Sequence, residues 1–415
     1  MSSESLQSQL SQGLLVKHPE FWFSDGSLIL RAHSTLFRVH ISQLCRKSVF
    51  FRDLFSLPQP SEPDRNERQL EGCPVLDLHD SPEDVANLVK VIYDGPNMEP
   101  APKGSAVATA LREDVEKAID GSPSHYANLL YQISNFGSND RRDFIASSGV
   151  LRLSSKYLIE ETTRQKALAH IRTAWPSTLK GWDLREDVAR AHEAETGQPR
   201  GNRYPHPIAV INLAREIGAD DLLPAAFYEL SRHSFAQIFE PAPGSPLDPR
   251  DPNCPTSLSH TLCPADLQRL ALGKEAAQHA VTALIQNMEH AASDHQSHRR
   301  QRSTQHAIAT GVLGMPGLAS GLGGGNRGAP PRRAMCVTPA ACRKDLAELV
   351  ELATQHYLFD RERGCADPLY VAEELGQLKS AEFADCAACA HALEAWAARE
   401  RERLWRAIPE WFRLR

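Results

Sequence analysis

No run of this chain approaches the roughly 18–20 consecutive apolar residues that a membrane-spanning helix needs. Neither charge dominates: 46 Lys and Arg against 52 Asp and Glu leave a net charge of −6 over 415 residues. So small an imbalance gives no global pull toward nucleic acid or an anionic membrane. The opening, MSSESLQSQLSQG, has neither the basic start nor the apolar core of a signal peptide. Nine cysteines, an odd number at irregular spacing, do not form the framework of a secreted disulfide protein. Together these features predict an intracellular protein, in the nucleus or the cytoplasm.

Catalytic signatures are missing as well. The chain holds no Walker A motif, no HExxH and no GxSxG, and it has neither a C2H2 finger nor a basic DNA-reading helix. One GxGxxG occurs, at Gly323, Gly325 and Gly328, but no strand precedes it and no helix follows. A dinucleotide site needs that context to aim backbone amides at phosphate, so the match is compositional. No cofactor is expected, and no repeat at solenoid periods is found.

What is present starts at His18. HPEFWFSDGSLILRAHSTLFRVH alternates in short aromatic and branched runs, with an Asp25-Gly26 turn, and reads as a three-strand meander. From Ile41 the period lengthens: Leu44, Ser48, Phe51 and Phe55 recur at helical spacing, giving two short helices. PVLDL (Pro74–Leu78) reads as a further strand, and Pro82–Tyr93 as a helix ending in Tyr-Asp-Gly.

This set resembles the opening of a BTB/POZ domain, and its register is similar to a large group of fungal BTB proteins. The residues carrying the resemblance are Asp25, Phe37, Val39, His40, Leu44, Ser48 and Phe51, with LRLSSKYLIEETTRQKALAHI (Leu151–Ile171) matching the helical pair that closes such domains. The resemblance covers about the first 180 residues. It implies protein–protein interaction, homodimerisation, and a role such as substrate adaptor of a cullin-type ubiquitin ligase or transcriptional regulator acting through partners. In dimeric transcription-factor relatives a basic residue follows the His and joins the Asp in a charged pocket. Here Ile41 stands in that place.

The predicted organisation is α+β. A polar tail (1–16) precedes a BTB/POZ-like three-layer domain, a short sheet flanked by helices (17–180). That domain carries insertions at 57–72 and 96–145. A polar stretch from Gly181 to Pro207 leads to an all-helical extension (205–293), where Pro207 opens a helix carrying Val210, Leu213 and Ile217. Cys263-Pro264-Ala265-Asp266 starts another helix, and a longer one covers about Lys274–Ala292. Residues 294–335 are rich in Gly, Ser, Gln and Arg and predict a disordered linker. A C-terminal helical region (336–415) closes the chain, with Leu346, Leu349, Val350, Ala353 and Tyr357 as one apolar stripe and Cys386, Cys389, Ala390, Leu393 and Ala397 as another.

Within the front domain Phe21, Trp22, Phe23, Asp25, Phe37, His40, Leu44, Ser48 and Phe51 are the candidate interaction and architectural residues, none of them catalytic. Strand alternation turns two of Phe21, Trp22 and Phe23 inward. Cys336-x5-Cys342 and Cys386-x2-Cys389, with Cys365 between, could supply thiolates to zinc. Against this, Cys386 and Cys389 fall on the apolar face of a helix, where free cysteine acts as a small hydrophobe. Buried thiols are therefore the working expectation. His290, His295 and His298 read as a solvated helix end. Arg299, Arg300, Arg302, Arg327, Arg332 and Arg333 read as a solubilising linker or a nuclear-import signal, without aromatics for stacking bases. The resulting expectation is a non-catalytic protein that binds protein partners, a second copy of itself being one candidate; the alternative from another class is a metal-dependent enzyme using the C-terminal cysteines and histidines.

Overall fold

A computed structural model describes residues 8, 10, 12–57, 69–95, 141–243, 247, 261–309, 336, 338–359, 366–377 and 386–414; side chains at 142 and 289–309 are excepted. The molecule is α+β, with a five-stranded sheet near the N-terminus followed by helices. It divides into two compact units, Met1–Ala226 with Phe235–Leu262, and Phe227–Ser234 with Cys263–Arg415.

In the first unit the strands are β1 (Val16–Trp22), β2 (Leu28–Ala32), β3 (Thr35–Val39), β4 (Gln69–Leu70) and β5 (Cys73–Leu78). Their order is β1-β3-β2-β5-β4. The expected meander is therefore corrected: β1 lies parallel to β3 and not beside β2. Alternation marks strands but carries no information on which strand is the neighbour. β2 and β3 form an antiparallel hairpin, turning through His33 at a φ of 52°, and β5 pairs with β2 in parallel. Asp25-Gly26 thus links two strands that are not neighbours in the sheet. Gly26 is not in the left-handed region; it is needed for space, because a Cβ would lie 2.8 Å from Arg38 Cγ. Residues 69 and 70, expected to lie in an unpacked insertion, form β4, with Leu70 buried.

Helices α1 (Ile41–Lys47) and α2 (Val49–Ser56) follow the hairpin as expected. α3 (Pro82–Asp94) has Ser81 as its cap and proline in the first turn, both of which suit a helix start. α4 (Arg141–Lys156) begins inside the expected second insertion, the remainder of which (96–140) lies outside the described residues. α5 (Glu161–Ala174) stops before Pro176. One sheet face carries the main core, with Leu28, Leu30, Phe37 and Val39 packed with Leu44, Phe51, Val85, Val89 and Leu153. The opposite face holds a smaller cluster of Leu15, Ile29, Leu36, Leu70 and Cys73, with Trp22 and Val75 against it.

The stretch expected to be a polar connection is instead α6 (Leu179–Thr196), corrected by Trp182, Arg185 and Ala189, which are buried. Arg185 hid this helix, because a charged residue reads as exposed. Its guanidinium stacks 4.9 Å from Trp175, 4.6 Å from Trp182 and 4.2 Å from Tyr204, and pairs with Glu186 at 2.6 Å. α7 (Pro207–Ile217) starts at its proline, with Val210, Leu213 and Ile217 buried. α8 (Leu223–Ser231) and the short α9 (Phe235–Phe239) follow.

In the second unit a single helix, α10 (Pro264–Ala309), replaces the two expected, and it continues past residue 294, where the linker was placed. No proline or glycine interrupts His295–Ala309, so nothing in the backbone stops it. Gly273 lies within it because the Phe412 ring occupies the space of a Cβ. The rest of the linker, 310–335, lies outside the described residues. α11 (Pro339–Ala353) runs on into a π-helical turn (Thr354–Phe359), and α12 (Pro368–Gln377) and α13 (Ala387–Trp411) complete the unit. Leu346, Leu349, Ala353 and Tyr357 are buried as the stripe predicts, and so are Leu393 and Ala397. α11, α12 and α13 each pack on α10.

Candidate functional site

Phe21, Phe23, Phe37, Leu44 and Phe51 meet in or against the main core, Trp22 packs on the opposite sheet face, and Asp25, His40 and Ser48 serve as hydrogen-bonding anchors. Ser48 is buried at the junction of α1 and α2. Its Oγ accepts from Phe51 N at 3.0 Å and donates to the Tyr157 carbonyl at 2.6 Å. The Ser-x-x-Phe spacing is thus an N-cap with its third residue, and the same hydroxyl fastens the end of α4. Phe51 stacks on Tyr157 with centroids 5.2 Å apart. Tyr157 in turn donates to Asp80; burial, then that carboxylate, push its phenol well above the usual range.

His40 is half-buried and fully engaged. Its Nε2 lies 3.2 Å from Asp25 Oδ1, its Nδ1 2.8 Å from Tyr93 Oη, and its own amide donates to that oxygen at 2.8 Å. The hydrogen bond from His40, then the turn's own backbone, hold the exposed Asp25 carboxyl below the usual range. Phe23 stacks on Tyr93 at 4.8 Å. Ile41 packs against the main core. Phe21 is buried, whereas Trp22 and Phe23 are half-buried, Trp22 beneath Lys17 Nζ at 4.4 Å. Tyr93 was missed as a partner, although its place at the end of α3 was its signal.

His18 was missed altogether. It is 1% exposed, between the rings of Phe21 at 4.9 Å and Phe37 at 4.8 Å. Its Nδ1 accepts from the amides of Glu20 at 3.2 Å and Phe21 at 3.0 Å. This closes the irregularity where β1 slips register between Lys17 and Trp22.

In the second unit the four cysteines converge. Cys336, Cys342, Cys386 and Cys389 place all four Sγ atoms within 4.8 Å of one another. Cys336 Sγ is 3.7 Å from Cys342 Sγ and 3.8 Å from Cys386 Sγ, far beyond the roughly 2.05 Å of a disulfide, and all are free. Two chain segments supply them. Cys336 precedes α11, Cys342 lies in its first turns behind the Thr338 cap, and Cys386 caps α13 with Cys389 three residues on. The expectation that Cys386 and Cys389 both lie on the apolar face of a helix is corrected: α13 starts at Ala387, so the pair spans a helix start, where amides of Cys389 and Ala390 both reach the Cys386 carbonyl at 3.1 Å. Periodicity alone did not reveal this, because a cap can continue the stripe of the helix it begins.

Burial, then neighbouring thiols, raise Cys389 above the ordinary thiol range, and burial raises Cys342. Among the described residues the group offers four soft sulfur donors, a set suited to zinc. Cys365, the GxGxxG glycines and Arg327, Arg332 and Arg333 lie outside the described residues; the side chains of His290, His295, His298, Arg299, Arg300 and Arg302 do too. No described helix is long and apolar enough to cross a membrane. Comparison with protein-family models, with curated proteins and with solved structures finds no match.

Proposed function

We propose that this chain is a non-catalytic protein–protein interaction protein whose N-terminal unit is a BTB/POZ-like docking platform, with a second copy of the chain as one partner. The observation that carries the reading is the run hairpin, two short helices, parallel strand, capped helix and closing helical pair, locked at Ser48 and His40. These ionisable and hydroxyl groups serve the backbone and one another, which is the use a platform makes of them.

A partner surface is available beside this frame. Leu14, just before β1, and Val16, its first residue, are 60% and 56% exposed, and on α2 Val49 and Phe50 are exposed too. Large apolar side chains left in water at a sheet edge and on a short helix suit burial against a twin. Light scattering of the full chain at micromolar concentration should give twice the chain mass, and Val16→Glu should return the monomer. A wild-type monomer would overturn the twin. Adaptor of a cullin-type ligase and regulator acting through partners are narrower roles under this reading. Recovery of a cullin on affinity capture from cells supports the first, and chromatin proteins the second.

A further inference from the structure

We infer that Cys336, Cys342, Cys386 and Cys389 form a closed tetrathiolate site for one zinc ion, which fastens the start of α11 to the start of α13. This is independent of the docking proposal and lies in the other unit.

The first argument is distance. A tetrahedral centre with Zn–S bonds of about 2.3 Å places its sulfurs about 3.8 Å apart. Two of the separations, 3.7 and 3.8 Å, match that edge, and all of them are within 4.8 Å. Four thiols serving as small hydrophobes would be spread among aliphatic neighbours. Here they face one another, where weak S–H donors gain little.

The second argument is charge. Four thiolates around Zn²⁺ carry a net −2 and need a positive surround. Two helix N-termini supply it, α11 behind Thr338 and α13 behind Cys386, each bearing about half a positive charge. Cys342 Sγ also lies 3.6 Å from Thr338 Oγ1. Loading is balanced and needs no oxidant: four S–H bonds break, four Zn–S bonds form and four protons pass to solvent.

The third argument is spacing. Cys336 and Cys342 bracket one helix start and Cys386 and Cys389 another, 50 residues apart in sequence between Cys336 and Cys386. α11 and α13 pack separately on α10, so an ion here joins ends that α10 alone does not link directly. With four protein ligands no water is held, so the role is structural.

The full chain, purified under reducing conditions with zinc supplied, should hold one zinc per chain by elemental mass spectrometry. Cobalt in its place should give the intense visible bands of a tetrahedral thiolate centre. C342S and C389S should each lose the stoichiometric ion, whereas C45S and C263S should keep it. Because a ligand variant may misfold, the wild-type protein is also stripped with a chelator. Amide exchange should then rise in the first turns of α11 and α13. Wild-type protein without stoichiometric zinc and without the cobalt bands would overturn the site. Retention of zinc by both ligand variants would do the same, and unchanged exchange after stripping would overturn the fastening role.

Discussion

Protonation of His18 should weaken the first unit as the pH falls from 7 toward 5. The ring is buried between two phenylalanines, and its Nδ1 accepts two backbone amides, so the proton sits on Nε2. A second proton would have to displace both amides and place a charge among apolar rings. Burial lowers the pKa from 6.5 to about 4. Since the folded value is the depressed one, the unfolded chain binds the proton more readily. The stabilisation is complete above about pH 6.5 and is lost progressively toward pH 4. At pH 5 the unfolded histidine is about 1.5 units below its pKa; at ~1.36 kcal/mol per unit, the loss is about 2 kcal/mol. The assay is amide exchange on peptides covering Leu28–Val39 at pH 7.5 and 5.0, corrected for intrinsic rates. His18→Asn keeps an acceptor where Nδ1 stands but does not titrate. It should start lower, having lost ring packing, and then fall about 2 kcal/mol less than wild type between the two pH values. Equal losses in both proteins would refute the reasoning.

Ser48→Ala removes an N-cap and orphans the buried Tyr157 carbonyl, and should cost about 1–3 kcal/mol in the same exchange measurement. Arg152→Met strands the Asp84 carboxylate, which is 7% exposed and held by that guanidinium at 2.9 Å; about 3–5 kcal/mol should be lost in denaturant, and adding Asp84→Asn should restore part of it. Gly273→Ala gains helix propensity but drives a methyl into the Phe412 ring, so the second unit should lose about 1–3 kcal/mol, and Phe412→Leu should relieve it in a double-mutant cycle.

The elements of the first unit were legible wherever local chemistry and burial agree. Alternation in LILRA and TLFRV, Ser81 before Pro82 and the stripe through Leu44 and Phe51 each state one answer. Strand order was not legible, because the slot of β1 depends on a crossover and not on its own pattern. Arg185 concealed α6 for a related reason: burial of its charge is made tolerable by Trp175, Trp182 and Tyr204, residues up to 19 positions away, brought in by tertiary folding. At the four cysteines the spacings were readable but their convergence was not, since Cys336 and Cys386 meet only when α11 and α13 both dock on α10.

The two units therefore use reactive side chains in opposite ways. In the first, Ser48 and His18 are bound to backbone groups, and His40 to the Asp25 carboxylate and the Tyr93 hydroxyl, so their chemistry is spent on geometry. Removing one of these contacts costs stability without leaving a donor set behind. In the second, the four sulfurs are bound chiefly by one another, at distances too long for a disulfide and suited to a shared ion. Hydrophobic packing explains why Cys342 and Cys386 are buried. It does not explain why Cys336 and Cys389, only half-buried, turn toward them, and a common ligand does.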